Sequence, residues 1–150
     1  MSKEKLQWNF DYNYNGEQHS RTRNVIYKIE NSISGKVYIG QTKRMLFQRW
    51  HDYKCDLLKP VQKNRTSGTN IFLKHSVQKH FKETGDVAFL KFTIVEMANE
   101  SLFCGQELGE WLNNREEFHI HNHQKLLGFD RVCNVKTTGK KYDYTETVKI

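Results

Sequence analysis

The chain has 150 residues, 37% of them hydrophobic, and 24 Lys and Arg stand against 17 Asp and Glu for a formal net charge of +7. That length suits one domain able to bury a core without staples, and the positive excess favours an anionic partner such as nucleic acid. No stretch approaches the roughly 18 apolar residues of a membrane span, and MSKEKLQWNF lacks the apolar core of a signal peptide, so no membrane partner is expected. Cys55, Cys104 and Cys133 are isolated thiols with no C-x-x-C pair, which points to a reducing compartment, the cytoplasm.

From the N-terminus, KLQWNFDYNYNG alternates, with Leu6, Trp8, Phe10, Tyr12 and Tyr14 on one face, and reads as a strand ending at Asn15-Gly16. Residues 17–24, EQHSRTRN, carry no periodicity and read as a linker or mobile arm, most simply a solvated loop, although Arg21 and Arg23 could touch phosphate. NVIYKIENSISGKVYIGQT then forms two short apolar runs around a polar turn, a β-hairpin with Tyr27 and Tyr38 in its two strands. A four-residue loop, Asn31 to Ser34, pairs Glu30 with Gly35 and sets Tyr27 directly opposite Tyr38, whereas a five-residue loop puts the tyrosines on opposite faces.

Leu46, Trp50, Tyr53 and Leu57 follow at helical spacing, and Pro60 stops that helix. VQKNRTSGT is a basic loop. A second helix starts at Asn70, buries Phe72, Leu73, Val77 and Phe81, and is capped by Gly85. Residues 88–97, rich in aromatic and β-branched side chains, read as a central strand. A long helix should start near Ser101, carry Leu108, Leu112 and Phe118 or His119, and run toward Gln124. Cys133 to Lys136 add a short extended segment before a polar tail. The expected fold is α/β (α+β): a small, mainly antiparallel three-stranded sheet, hairpin plus central strand, flanked by helices, with an additional N-terminal strand. Residues 1–23 form the strand and arm, 24–137 the main domain and 138–150 the tail.

Val25-Ile26-Tyr27 and Tyr38-Ile39-Gly40 resemble the paired tripeptides of the GIY-YIG nuclease superfamily, with Val in place of the first Gly. Arg49-Trp50 is similar to the family's helical arginine, Glu116 in REEFHI to its metal-binding glutamate, and Asn134 to the asparagine that commonly closes the module. Tyr53 stands one turn after Arg49, where many members place a histidine and some a tyrosine; His51 lies about 200° round the helix from Arg49 and outside the site. The resemblance covers residues 24 to 136.

It implies a metal-dependent DNA endonuclease acting on double-stranded DNA and leaving 5′-phosphate and 3′-hydroxyl ends. Tyr27 would be the general base, directly or through a relay, with Arg49 or a cation making its phenolate accessible. Glu116 would hold one Mg²⁺ or Mn²⁺, and Tyr38, Arg49 and Tyr53 would contact the water or the phosphate. Glu117 is the adjacent alternative to Glu116. Duller readings stand beside these: a surface Arg49 stacked on Trp50, an exposed carboxylate, a structural Asn134, an edge-strand Lys36. His119 and His123 have zinc-compatible spacing but no third ligand in register.

A chain this short has no room for a separate DNA-binding domain, so readout falls to the N-terminal aromatic strand, to Lys63, Asn64 and Arg65 in the basic loop, and to Lys136, Lys140 and Lys141. That suits a stand-alone restriction or phage-type enzyme in a bacterial or phage-infected cytoplasm. A homing-type nuclease and a non-cleaving nucleic-acid-binding module with the same fold are the alternatives. Cutting both strands calls for a homodimer or two successive nicks, and the aromatic N-terminal strand is a candidate dimer edge.

Overall fold

The computed structural model describes residues 6–60, 70–99, 103 and 106–134. In chain order these form strands β1 (Asn9–Phe10), β2 (Asn13–Tyr14) and β3 (Glu17–Gln18), the hairpin β4 (Val25–Asn31) and β5 (Lys36–Thr42), helices α1 (Leu46–Asp56) and α2 (Ile71–Thr84), strand β6 (Leu90–Met97) and helix α3 (Gln106–Leu127). The fold is α+β, as the sequence predicts. A four-stranded sheet runs β1-β6-β4-β5, antiparallel except for the β1–β6 pair, and β2 with β3 makes a separate two-stranded ribbon. Among the described residues no helix is long and apolar enough to cross a membrane.

Strand alternation gives the sheet two buried faces. Val25, Tyr27 and Ile29 pack with Leu46, Trp50, Tyr53, Leu73, Val77 and Phe92 on the side of α1 and α2. Ile26, Val37 and Ile39 pack with Leu112 and Ile120 of α3 on the other. The described part of α3 starts at Gln106 and runs on to Leu127, and its sheet side is unusually polar, with His119, Asn122, His123 and Gln124 all buried.

The hairpin differs from expectation by one step. Its loop is Ser32 to Gly35, so Asn31 pairs with Lys36, Tyr27 with Gly40 and Ile29 with Tyr38. The tyrosines share a face, as the four-residue loop requires, but they are diagonal rather than directly opposite. The cause is Asn31, which stays in the strand while its Oδ1 accepts the N–H groups of Ile33 (3.0 Å) and Ser34 (3.3 Å), and Gly35 closes the turn at φ 76°. The Asn31 amide also donates to Ser76 Oγ (2.8 Å) and His80 Nδ1 (2.9 Å) of α2. That docking fixes the rotation of α2: Leu73, Ser76, Val77 and His80 face inward, while Phe72, expected in the core, is 50% exposed and Phe81 only partly buried. Asn70 and Gly85 cap α2 as expected.

The N-terminal segment is not one strand. Asp11 accepts the N–H of Asn13 (3.0 Å) and turns the chain after Phe10, and β2 then reverses through Asn15 and Gly16, both at positive φ, into β3. Residues 17–24, expected as a linker or mobile arm, carry β3 and a set of backbone contacts to α1. After β3 they run past the start of α1, where the Thr22 carbonyl accepts the N–H of Leu46 (3.0 Å) and the Ser20 carbonyl that of Phe47 (2.8 Å). Helix α1 has no side-chain N-cap and no acidic residue in its first turn, so these two carbonyls satisfy donors that would otherwise be orphaned. Beyond α3, Val132 bridges Val37 in parallel and the Cys133 N–H bonds the Val37 carbonyl (2.8 Å), so the chain returns along β5; residues 135–150, including the expected tail, lie outside the described residues.

Candidate active site

Tyr27 enters from β4 with its side chain fully buried. Its ring lies over the backbone of Gly40 on β5, where an added Cβ would stand 2.5 Å from the phenolic oxygen. The glycine after Tyr38-Ile39 is therefore required for space rather than for a turn. From the other side α1 delivers Arg49 and Tyr53, four residues apart and so on one helix face. Tyr27 and Tyr53 share a hydrogen bond between their hydroxyls (2.6 Å), Arg49 Nε donates to the Tyr27 oxygen (3.1 Å), and Arg49 Nη2 donates to the Tyr53 oxygen (3.2 Å). The guanidinium also stacks on the Tyr53 ring, 4.7 Å from its centroid. A guanidinium has five N–H donors, so three remain beyond those two bonds.

Trp50, on the same helix, seals the base of the cluster. It packs edge-on to Tyr27 and stacks with Tyr12 of the N-terminal segment, with centroids 6.2 and 4.8 Å away. The aromatic segment that sequence offered for DNA readout or dimerisation thus packs on the core behind the site: Phe10 meets Trp50 and Phe92, and Trp8 meets Phe92.

Glu116 stands on α3, which covers the opposite face of the sheet, near enough for its charge to act on Tyr27 and Tyr38 and for Arg49 to act on it. Gln41 Nε2 is its one hydrogen-bond donor among the described residues, at 3.4 Å. Burial pushes the Glu116 carboxyl up to about 7, aided by Glu117 and opposed by the Gln41 bond and by Arg49. Tyr27 and Tyr38 feel the Glu116 charge in turn, whereas Glu117 lies about 100° further round α3 and is buried. The geometry therefore brings Glu116, of the two candidates, to the tyrosines and Arg49.

Burial is also the largest influence on the phenols. It raises Tyr27 above the ordinary tyrosine value despite the opposing Arg49 cation and the hydroxyl of Tyr53, and it raises Tyr53 and Tyr38 likewise. The expectation that Arg49 makes the Tyr27 phenolate accessible is thus corrected: in the protein alone desolvation outweighs it, and Tyr27 stays a neutral phenol. Arg49 itself is raised by the three tyrosines, which outweigh its burial, and it remains charged.

Asn134 holds the edge. Its Oδ1 accepts the N–H of Ile39 (2.9 Å) and its Nδ2 donates to the Ile39 carbonyl (2.7 Å), so one side chain replaces a neighbouring strand beside the residue between Tyr38 and Gly40. His51 contacts Cys55 (3.3 Å) on the exposed side of α1, outside the cluster. His119 Nε2 pairs with Glu96 (2.9 Å), and His123 Nδ1 donates to the His119 carbonyl (2.7 Å), so one nitrogen of each is already engaged within the protein. Lys63, Asn64, Arg65, Lys136, Lys140 and Lys141 lie outside the described residues.

Sequence reasoning missed Gln41 and Asn113, whose side chains meet at 2.7 Å beside Glu116. Strand alternation was the available signal, since Val37, Ile39 and Gln41 must share the face that α3 covers. No group of three or more His, Cys, Asp or Glu able to hold a metal exists among the described residues. The donor set, one carboxylate with free lone pairs, fits only an oxygen-seeking ion that keeps most of its waters, such as Mg²⁺. Comparisons with protein-family models, with curated proteins and with solved structures each find no match to this chain.

Proposed function

We propose that the protein is a metal-dependent endonuclease that hydrolyses phosphodiester bonds of double-stranded DNA, leaving 5′-phosphate and 3′-hydroxyl ends. The observation that carries the reading is the convergence of Tyr27, Arg49 and Tyr53 in one hydrogen-bonded triangle, with Glu116 close enough for its charge to act on Tyr27 and Tyr38. A phosphodiester site needs a cation to clamp the phosphate, a path for the proton of the attacking water, and a stabiliser for the departing oxygen.

Arg49 clamps a phosphate oxygen with donors that the phenols leave free, and its fixed stacking on Tyr53 presets its orientation. Tyr27 first loses its phenol proton to solvent and then, as the phenolate, takes the proton of the water, while the hydrogen bonds from Tyr53 and Arg49 stabilise the phenolate before that transfer. Tyr38, partly buried on the same face, hydrogen-bonds the water or the phosphate. Glu116 would hold one Mg²⁺ or Mn²⁺, whose positive charge would lower the Tyr27 phenol and offset the charge on the leaving 3′ oxygen.

Restriction or phage-type cutting, as a dimer or by successive nicks, is the form proposed, with a homing-type nuclease as the alternative. The complete burial of Tyr27 supports a second reading, a DNA-binding module in which the phenol cluster only stabilises the fold. Supercoiled plasmid with Mg²⁺ separates them. Nicked or linear product from the parent protein, lost with EDTA and in Glu116→Ala, is the outcome for the nuclease; intact plasmid with salt-sensitive DNA binding is the outcome for the module.

A further inference from the structure

Gln41 is the first residue of β5 after Gly40, and it points to the α3 side of the sheet. Its Nε2 donates to Asn113 Oδ1 at 2.7 Å and to Glu116 Oε1 at 3.4 Å. Asn113 and Glu116 are three residues apart on α3, so the two N–H groups of one amide span both. One turn earlier α3 carries Gly109, and a Cβ there would stand 2.9 Å from Lys43 Nζ. Residues 109, 113 and 116 thus form one stripe of α3 laid against the end of β5.

We propose that Gln41 is a positioning residue: anchored on Asn113, it holds the Glu116 carboxylate at the end of β5 beside Tyr38 and Arg49, ready to accept a divalent cation. The inference rests on the metal-binding reading of Glu116. The chemistry of the amide suits the task. A Lys or Arg in this place would pair with the carboxylate and compete with the cation, whereas a neutral donor orients the carboxylate and leaves its charge intact. The unequal distances fit as well, with the short bond made to Asn113 as anchor and the long one to Glu116, whose lone pairs stay available.

The test is Mn²⁺ binding by the full chain, followed through the electron paramagnetic resonance signal of the free ion, with thermal unfolding as the check on each variant. The parent binds Mn²⁺ and Glu116→Ala does not. Gln41→Leu binds about 10- to 100-fold more weakly, Asn113→Ala several-fold more weakly, and the double variant no more weakly than Gln41→Leu, because both changes remove one tether. Parent-like affinity in Gln41→Leu, with binding lost in Glu116→Ala, overturns the role of Gln41 and leaves the metal reading standing. Should Gln41→Leu fail to fold, parent-like affinity in Asn113→Ala overturns it in the same way. No Mn²⁺ bound by the parent, or binding indifferent to Glu116→Ala, overturns the metal reading and this inference with it.

Discussion

The ring of Tyr27 occupies the space that a side chain at Gly40 would fill: its Cζ and hydroxyl oxygen lie 2.5 Å from where that Cβ would be. The two residues are cross-strand partners, so neither can move without parting β4 from β5. Gly40→Ala is expected to destabilise the protein by about 1–3 kcal/mol through overpacking. Urea denaturation measures this, and a loss below about 0.5 kcal/mol would show that the ring has room to shift.

Arg49 makes two directed bonds to phenol oxygens and stacks on one of the rings, a geometry that only a planar guanidinium provides. Arg49→Lys keeps the charge and loses the fork. On the nuclease reading, its cleavage rate in the plasmid assay should fall at least about 100-fold, in the range of losing an oriented charge-stabilising donor. A rate within a few-fold of the parent would mean that Arg49 serves only as a point charge.

How much of this was legible in the sequence depended on what carried each contact. The two faces of the hairpin followed from alternation alone, and the caps of α2 from Asn70 and Gly85, because side-chain identity encodes both. The register was off because the bonds from Asn31 to Ile33 and Ser34 keep Asn31 in the strand, and an Asn beside a turn is equally at home inside the loop. The hold on α1 was not legible at all: Ser20 and Thr22 act through backbone carbonyls, which every residue owns. Glu116 was identifiable by its place in REEFHI, but its partner Gln41 was visible only through strand parity. The burial of Tyr27 depends on Trp50 at the base of the cluster, with Phe10 and Tyr12 packed behind it, a tertiary effect with no local signature.

The Glu116 carboxyl predicts a pH response of definite sign. Its folded value, about 7, lies above the ordinary 4.5, so the protonated form is favoured by folding. The stabilisation is fully present below about pH 4.5 and is lost as pH rises through 7. His123 acts oppositely: burial lowers it to about 4, so its contribution is present above the ordinary histidine value of 6.5 and is lost as pH falls through 4. The two overlap in acid, and the difference between Glu116→Gln and the parent isolates the first. In EDTA the variant should gain stability relative to the parent between pH 5 and 8, by on the order of 1–2 kcal/mol after discounting for solvent screening. A difference that stays flat across that range would mean that the carboxyl is better solvated than the geometry indicates.

On the nuclease reading, the N-terminal segment should be part of the unit that shapes the site rather than an accessory. Phe10 pairs through β1 with Phe92 of β6 and packs on Trp50, while Tyr12 stacks on Trp50 from beyond the strand. Trp50 adjoins Arg49 in sequence and Tyr27 in space, and the donors at the start of α1 are met by carbonyls further along the same segment. Loss of the Phe10 ring therefore loosens the helix that aims Arg49. Phe10→Ala is expected to cost about 2–4 kcal/mol, less than a fully buried phenylalanine at its upper limit because the ring is only partly covered. If the segment positions α1, cleavage should fall by more than the loss of folded protein explains, even at a temperature where the variant remains folded by circular dichroism. If it serves DNA contact alone, cleavage should fall with DNA affinity and stability should stay at the parent value.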